Sequence, residues 1–499
     1  MADVTHDAVV IVPGIMGSAL ADATSGTRLW GLEPGLLWPA WKNGMPALHL
    51  DADERAGKYG RVKAVGLLQA PAWAPVLHGF EPYGDLTDAV RRTVVHDRAV
   101  LEFAYDWRLP IGHNGRLLAE LAHRHLTVWR THEAHQAARD IYGDGRAAQL
   151  VFVCHSMGGL VTRAAFAHAA ESGSSLDVDT RAVITLGTPF LGSAKTAVIL
   201  NGTRANPSPV LPKGRAQARV RRHMQELAAT LPGVHDLLPV YRCVDTGGDV
   251  RHLTPADVAA IGGNKDLATA ALTFQKRIRG QVLPGHRQVG GVAQPTVQSV
   301  RVEAGVVHKQ YEAFENNQDG ELARHQETGI PLKRNRAGDG TVYRDAAVLP
   351  GTTDPVWLAL QHGALAKDSF ALNYVRSVLT EHDRDRGPAL GAGGLGLDLP
   401  DSAPAGTPWT LKILPAPGDT LDTYAGIGVT VHDAATNRQV AAPRPGWRDS
   451  SVAARITLPG AGLYRIKVAT GGTTPLTQLV LATDPATTGS SSDDESDAR

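Results

Sequence analysis

Apolar runs alternate with segments of helical period along most of the chain. The runs at 8–12, 148–153 and 181–186 are rich in β-branched and other apolar residues, which is typical of strands buried on both faces. Apolar residues at helical spacing occur at 115–141 and 160–170. This alternation of strand and helix predicts an α/β fold with a doubly wound, mostly parallel sheet.

The pattern changes twice further along the chain. Residues 200–280 are predicted to be mostly helical and to form a cap, and the runs at 286–292 and 298–302 are expected to return the chain to the sheet. From Pro400 to Thr483, short alternating runs separated by turns predict a small antiparallel β-sandwich of immunoglobulin-like type.

These changes predict four parts. They are an α/β domain at 1–385, a Gly- and Pro-rich linker at 386–399, the β-sandwich at 400–483 and a disordered Ser- and acid-rich tail at 484–499. A flexible linker favours few contacts between the two domains, so we expect the sandwich to be dispensable for chemistry.

One strand-to-helix junction carries a serine at its apex. Ser156 follows a buried run that ends at Cys154-His155, and it precedes Gly158 and Gly159. A serine on a tight turn between a buried strand and a helix is the nucleophile elbow of α/β-hydrolases, G-x-S-x-G. Cys154 replaces the first glycine with another small residue. The alternative is a serine in an ordinary strand–helix connection.

Two later residues complete a chain order of Ser, acid and His. Asp339 lies in a glycine-flanked turn, and His362 precedes the last predicted helix of the α/β domain. This order predicts an α/β-hydrolase triad in which Ser156 is the nucleophile, His362 the base and Asp339 the orienting acid. Asp-Gly is also a common turn pair, and the chain has 20 histidines, so neither residue is diagnostic alone.

The loop after the first strand is a candidate for the oxyanion hole. It reads Pro-Gly-Ile-Met-Gly-Ser at 13–18. In a hydrolase sheet this loop lies beside the elbow, so we expect the backbone N–H groups of Ile15 and Met157 to stabilise an oxyanion. An ordinary glycine turn is the alternative.

Tryptophans cluster early in the chain. Trp30, Trp38 and Trp41 lie in an irregular segment interrupted by Pro and Gly. The segment is either a lid or acyl-chain wall over the site, or an ordinary packed excursion over the sheet.

Several blocks together resemble the lecithin:cholesterol acyltransferase family, which includes lysosomal phospholipase A2 and phospholipid:diacylglycerol acyltransferases. The matching blocks are VPGIMGS at 12–18, YDWR at 105–108, HSMG at 155–158, LGTP at 186–189, GGVAQPT at 290–296 and GDGTV at 338–342. The resemblance implies a capped α/β-hydrolase with the triad and oxyanion hole named above. It also implies acyl transfer from a glycerophospholipid or related ester to a lipid alcohol or water. Asp106 and Trp107 of the second block become candidate substrate or lid residues.

Three features depart from that family. The first residues are not expected to be a secretory leader, no cysteine precedes Cys154 to form the family's early lid disulfide, and Cys154 occupies the first elbow position. These departures leave the triad intact but argue against an extracellular lipoprotein substrate.

Composition narrows the class of protein. The chain has 499 residues, 43% of them hydrophobic and 20% charged, and its formal net charge is zero. This neutrality argues against a nucleic-acid partner, and the basic run at 213–222 is best interpreted as a solvated helix face. With two cysteines, no leader and no membrane span in the sequence, we expect a cytoplasmic protein.

The sequence thus predicts a serine-dependent lipid acyl hydrolase or O-acyltransferase that needs no cofactor or metal. Its partner is a lipid or ester substrate, which allows peripheral contact with a membrane; the partner of the sandwich is not predicted. Two alternatives are open: a general cytosolic carboxylesterase or lipase, and a non-catalytic interaction protein built on a hydrolase scaffold.

Overall fold

Six parallel strands form the central sheet of the computed structural model. The structure describes residues 4–75, 78–142, 146–202, 215–317, 321–352, 355–381, 394–415, 426–448, 451–469 and 475–484. The strands are β1 (Ala8–Val12), β2 (Val100–Glu102), β3 (Leu150–His155), β4 (Thr180–Leu186), β5 (Arg287–Gly291) and β6 (Val356–Leu358). Their order is β6-β5-β4-β3-β1-β2, and all neighbours are parallel. The predicted α/β class is therefore confirmed.

Helices pack against this sheet. The helices Ile111–Thr131 and Met157–Ser172 pack against each other and against β1, while Ser369–Leu379 packs against β4 and against Gly84–Arg91. The remaining α-helices are Pro34–Lys42, Ala52–Arg55, Glu133–Tyr142, Lys195–Asn201, Arg215–Ala228, Pro232–His235, Pro255–Ala260 and Lys265–Arg277. No helix among the described residues is both long enough and apolar enough to span a bilayer.

The single helix predicted at 115–141 is wrong. The chain forms two helices, Ile111–Thr131 and Glu133–Tyr142, separated at His132, whose ψ of 137° is extended. The His132 ring accepts a hydrogen bond from the N–H of Ala134 at 3.1 Å. The side chain thus caps the second helix locally, which the apolar spacing did not reveal.

The predicted path through 200–302 also needs correction. Two short strands, Arg242–Asp245 and Val250–His252, interrupt the predicted helical region. They join Ser299–Glu303 and Val306–Gln310 in a separate four-stranded sheet, so 298–302 does not return to the central sheet. The last two strands form a hairpin whose two turn residues, Ala304 and Gly305, have φ of 47° and 76°. A tight turn of this kind supplies a local pairing partner.

The early tryptophan-rich segment has regular structure. Strands Ser18–Asp22, Arg28–Trp30 and Val62–Leu67 form an antiparallel sheet, and Ala72–Ala74 pairs with His78–Phe80. The rings of Trp41 and Trp107 meet Trp30 edge-on, with centroids 6.4 and 5.9 Å away. Such edge contacts between buried rings are favourable packing arrangements.

The C-terminal region forms two sheets. Their strands are β7 (Leu395–Asp398), β8 (Ser402–Pro404), β9 (Trp409–Pro415), β10 (Gly428–Asp433), β11 (Gln439–Ala441), β12 (Gly446–Arg448), β13 (Ser451–Ile456), β14 (Gly462–Ala469) and β15 (Leu476–Thr483). The orders are β7-β9-β13-β12 and β8-β15-β14-β10-β11, antiparallel except for β8 with β15. The immunoglobulin-like type of this region stays a prediction.

The predicted linker overlaps this region. Strand β7 lies within 386–399 and pairs with β9, so the sheets begin before the predicted boundary at Pro400. Residues 386–393 of the predicted linker lie outside the described residues, and so does the predicted tail from residue 485.

The C-terminal sheets pack directly on the α/β domain. Arg465 forms two hydrogen bonds with the carboxylate of Glu81, at 2.8 and 2.7 Å. The indole N–H of Trp73 donates to the carbonyl oxygen of Asp401 at 2.7 Å. One continuous cluster of buried apolar residues extends through both regions. The expectation of few contacts across the boundary is therefore wrong.

Candidate active site

Ser156 lies on a sharp turn between β3 and the helix Met157–Ser172. Its φ of 53° and ψ of −126° are unusual for a residue with a side chain. Gly158 is required by close approach, because a Cβ atom there would collide with the carbonyl groups of Val12 and Pro13. This geometry is that of a nucleophile elbow, which lifts the serine hydroxyl to the edge of the sheet.

Cys154 occupies the elbow position that usually holds glycine. Its side chain is fully buried, and its sulfur lies 3.1 Å from the hydroxyl oxygen of Thr162. Burial raises the pKa of the Cys154 thiol to about 12. The thiol therefore stays protonated at neutral pH and is a packing group, since the thiolate is the nucleophilic form. Cys243 is likewise free and buried.

Three predicted residues form a chain of hydrogen bonds. Nε2 of His362 lies 2.8 Å from Oγ of Ser156, and Nδ1 of His362 lies 2.7 Å from Oδ2 of Asp339. The other oxygen, Oδ1, accepts hydrogen bonds from the backbone N–H groups of Thr341 and Val342 at 2.9 and 2.7 Å. These two backbone hydrogen bonds orient the Asp339 side chain so that its other oxygen faces the imidazole.

Asp339 and His362 are also tied through the main chain. The N–H of His362 donates to the carbonyl oxygen of Asp339 at 2.8 Å. His362 follows β6, and Asp339 packs against Gly291 at the end of β5, beside the point where Ser156 follows β3. The fold therefore brings together, at one point, residues that are widely separated along the chain.

The loop at 13–18 lies against Ser156. A Cβ atom on Gly14 would be 2.8 Å from the Cβ of Ser156, so only glycine permits this approach. Neither the N–H of Ile15 nor that of Met157 has a hydrogen-bond partner within the described ranges. Two free backbone donors beside a serine hydroxyl have the arrangement that can stabilise negative charge on a carbonyl oxygen.

Aromatic side chains hold this loop by its carbonyl groups. The indole N–H of Trp30 donates to the carbonyl oxygen of Met16 at 2.7 Å, and that of Trp107 donates to Ser18 at 3.1 Å. The hydroxyl of Tyr105 donates to the carbonyl oxygen of Pro13 at 2.9 Å. Tyr105 and Trp107 of the YDWR block therefore hold the loop in place.

The other lid candidates are also packed away from the site. Trp38 and Trp41 are buried, and the indole N–H of Trp41 donates to the carbonyl oxygen of Trp73 at 3.0 Å. Asp106 pairs with the fully buried Arg108 at 2.7 Å. The five candidates Trp30, Trp38, Trp41, Asp106 and Trp107 do not line the cavity at Ser156. The packing interpretation is therefore favoured over the lid for all five.

A second histidine, which the sequence did not single out, contacts the site. The N–H of Gly14 donates to the hydroxyl oxygen of Tyr83 at 2.8 Å, and this hydroxyl donates to Nδ1 of His155 at 2.7 Å. Nε2 of His155 then donates to the carbonyl oxygen of His362 at 3.0 Å. Burial, reinforced by the nearby His362, lowers the pKa of His155 to about 3, so its ring is neutral. Tyr83 is 72 positions from His155, and no local pattern indicated the pair.

A cavity of about 660 Å³ opens at Ser156 and His362. Its walls are partly apolar, with Val198, Ile199 and Leu479 among the lining residues. This size is within the usual range for small-molecule sites. No group of three or more His, Cys, Asp or Glu side chains suited to a metal ion occurs in the part of the chain that the structure describes.

Cationic side chains also line the cavity. Burial lowers the pKa of Lys195 to about 8, and its amine donates to the carbonyl oxygen of Gly340 at 3.2 Å. Burial, together with repulsion from Arg221, lowers the pKa of Lys309. Arg221 lies 3.5 Å from the carboxylate of Asp401, whereas the Lys309 amine has no hydrogen-bond or ion-pair partner among the described residues. The amine of Lys309 is therefore available to an anionic group in the cavity.

Comparison with known proteins supports the family resemblance. The model of the lecithin:cholesterol acyltransferase family matches residues 83–251, which confirms the resemblance seen in the sequence. This stretch includes Ser156 but ends before Asp339 and His362. The match supports the broad class of lipid-ester hydrolase or acyltransferase. No curated protein sequence matches the chain.

Distant structural similarities are also present. The Tle4–Tli4 complex has 14% identity and a TM-score of 0.42, over 75% of this chain and 98% of that chain. A metagenomic carboxyl esterase has 14% identity and a TM-score of 0.19, over 44% of each chain. Phospholipase PlaB from Legionella pneumophila has 9% identity and a TM-score of 0.20, over 94% of this chain and 89% of its own. At these scores they support no conclusion about activity.

Proposed function

We propose, from the resemblance to the lecithin:cholesterol acyltransferase family, that this protein is a serine-dependent lipid acyl hydrolase or O-acyltransferase. Its substrate would be a glycerophospholipid or related lipid ester, and the reaction would pass through an acyl-enzyme. The observation that carries the proposal is the hydrogen-bonded chain from Ser156 through His362 to Asp339 at the wall of a cavity.

The geometry supports a two-step acyl transfer. His362 takes the proton of Ser156 as the hydroxyl oxygen attacks the ester carbonyl carbon, and Asp339 stabilises the imidazolium that forms. His362 then gives this proton to the leaving alcohol. In the second step His362 activates water or an acceptor alcohol, which releases the acyl group and restores Ser156.

The backbone would stabilise the negative charge formed in each step. The N–H groups of Ile15 and Met157 are the proposed donors to the oxyanion. The removal of one such donor in other enzymes costs about 10²- to 10³-fold in kcat. Trp30, Tyr105 and Trp107 keep the loop of Ile15 in place through the carbonyl groups of its neighbours.

The lining of the cavity favours a lipid ester with an anionic group over a small neutral ester. The apolar residues Val198, Ile199 and Leu479 suit an acyl chain, and the amine of Lys309 suits a phosphate or carboxylate. The general carboxylesterase remains the second candidate, because the triad chemistry is the same for both.

The proposal is tested with vesicles of labelled phospholipid that contain a long-chain alcohol. The wild-type protein should release free fatty acid or form a new ester, and Ser156→Ala should do neither while its circular dichroism spectrum is unchanged. New ester identifies a transferase, and free acid alone identifies a phospholipase. Turnover of a p-nitrophenyl ester without any turnover of phospholipid would support the carboxylesterase. If wild-type protein neither hydrolyses an ester nor reacts with a serine-directed fluorophosphonate probe, the proposed function is wrong.

A further inference from the structure

We propose that the C-terminal β-sandwich is part of the active site, and that Gln294 is the positioning residue through which it fixes the loops of Asp339 and His362. This inference rests on the proposed function. It concerns parts of the chain that the family match at 83–251 does not include.

Gln294 is fully buried at the meeting point of three segments. Its side-chain N–H donates to the carbonyl oxygen of Leu395 at 2.7 Å, and its Oε1 accepts from the N–H of Leu397 at 3.2 Å. Both partners belong to β7, the first strand of the sandwich. One amide thereby pairs with the sandwich through both its donor and its acceptor.

The same residue contacts both loops of the proposed triad. Oε1 of Gln294 accepts a hydrogen bond from the side chain of Gln361 at 2.9 Å, and Gln361 immediately precedes His362. The backbone N–H of Gln294 donates to the carbonyl oxygen of Gly338, which immediately precedes Asp339, at 2.9 Å. A shift of β7 would therefore be transmitted to the acid and to the histidine together.

A second set of contacts links the sandwich to the histidine loop through the segment that contains Gly79 and Glu81. Leu479 of β15 packs on Gly79, where a Cβ atom would collide with the leucine side chain. Nearby, Glu81 pairs with Arg465 of β14 at 2.7 Å and with Lys367 at 3.3 Å. Lys367 follows the short 3₁₀ helix that begins at His362. The sandwich is thus linked to the start of the histidine loop through Gln294 and to its end through Glu81.

The sandwich also forms a wall of the cavity. Residues 397–401, Lys412 and residues 477–479 line the same cavity as Ser156 and His362. The sandwich side chains therefore face the space that the acyl ester would occupy. The hydrogen bonds of Gln294 and the position of the sandwich at the cavity wall lead to the same prediction. Weakening the contacts between the sandwich and the α/β domain should lower turnover without unfolding the protein.

Two substitutions of Gln294 separate positioning from general stability. Gln294→Met keeps the length but removes every side-chain hydrogen bond, and we expect kcat to fall by about 10- to 100-fold with KM little changed, as for a small misplacement of catalytic groups. Gln294→Glu can replace the amide only in its protonated form, whose O–H donates to Leu395. The kcat of Gln294→Glu divided by that of wild type should therefore fall as pH rises. The same quotient for Gln294→Met should not vary with pH.

Arg465→Met tests the sandwich from a residue that does not itself line the cavity. Arg455→Met is the matched control, since Arg455 is an exposed arginine of the same sandwich. We expect at least a fivefold loss of kcat for the first and none for the second, in full-length protein whose folding is checked by circular dichroism. If Arg465→Met keeps wild-type kcat and the Gln294→Glu ratio does not change with pH, the inference is overturned even if Gln294→Met does not fold. Wild-type turnover and fluorophosphonate labelling of Ser156, measured in the same series, separate this outcome from failure of the proposed function.

Discussion

The hydroxyl of Tyr83 joins the proposed oxyanion loop to His155. It accepts a hydrogen bond from Gly14 and donates one to His155, and His155 in turn donates to the carbonyl oxygen of His362. The phenol is buried, so no solvent replaces these hydrogen bonds if it is lost. The loop beside Ser156 and the loop of His362 are therefore held by one neutral chain of donors and acceptors.

We predict that Tyr83→Phe lowers kcat by about 10-fold and also lowers the melting temperature. The substitution leaves Gly14 N–H and His155 Nδ1 without a partner, and each buried unpaired group costs about 1–3 kcal/mol. The measurements are ester hydrolysis and thermal unfolding. Tyr464→Phe is the control, because its hydroxyl donates only to the carbonyl oxygen of Gly460 at 3.1 Å within the sandwich. Equal kcat values for both variants would contradict the proposed link to the loop.

Asp339→Asn tests the role of the acid with almost no change in shape. Oδ1 of Asp339 accepts from two backbone N–H groups, so the oxygen of asparagine should keep that position. Its NH₂ group then faces Nδ1 of His362 and favours the wrong tautomer. We expect a loss of about 10⁴-fold in kcat, as for the same change in a serine protease triad. A variant with more than a tenth of wild-type kcat and a normal circular dichroism spectrum would exclude Asp339 as the acid.

Lys309→Met tests the proposed recognition of an anionic group. The variant keeps an unbranched apolar side chain but loses the amine. Because a hydrogen bond to a charged group contributes about 1.5–3 kcal/mol, we expect KM for a phospholipid to rise by about 10- to 100-fold. KM for a neutral p-nitrophenyl ester should not change. Lys63→Met, at an exposed position of the early antiparallel sheet, is the control. Equal effects on both substrates would show that Lys309 does not select for charge.

The buried carboxyl of Asp236 predicts a dependence of stability on pH. It accepts a hydrogen bond from the N–H of Ile111 at 2.7 Å, yet burial raises its pKa from 3.8 to about 7. Between these values the folded state keeps a proton that the unfolded state has released, so this group makes folding less favourable as pH rises. The destabilisation is complete above about pH 7 and absent below about pH 4.

Asp236→Asn removes this ionisation. The melting temperature of the variant minus that of wild type should increase from pH 4 to pH 7 and then become constant. The free-energy difference should change by about 1.4 kcal/mol for each pH unit in that window. Asp88→Asn, at an exposed helix position, reports the general effect of losing a carboxyl. A difference for Asp236→Asn that does not vary with pH would contradict the raised pKa.

Local patterns in the sequence were sufficient to propose the central sheet, the serine turn and the order of the three polar residues. The turn at Ser156 requires a buried strand before it and glycines after it, because backbones approach closely there. A requirement of this kind involves only a few neighbouring residues, so it can be seen in the sequence. The resemblance to the acyltransferase family came from short blocks of the same kind. Whether Ser156, Asp339 and His362 catalyse acyl transfer stays a prediction until the variants are measured.

Other features depend on contacts that no local pattern encodes. The strand Arg242–Asp245 is too short to show periodicity, and it is stabilised by its neighbours in the separate sheet. Tryptophans that suggested a lid proved to be buried, because a bulky indole packs in a core as readily as it covers a site. The roles of Tyr83 and Gln294 depend on partners far away in the sequence, and a flexible composition near 390 gave no sign that the sandwich packs on the rest of the chain.

The contact between Trp73 and Asp401 has a consequence for the newly made protein. These residues are separated by 328 positions, and Glu81 and Arg465 by 384. During synthesis the N-terminal parts emerge first and begin to fold before their distant partners exist. The nascent chain therefore exposes the surface around Trp73 and Glu81 until the sandwich has been translated. Throughout that interval the ribosome-bound chain holds Ser156 without the wall that the C-terminal strands later add to its cavity.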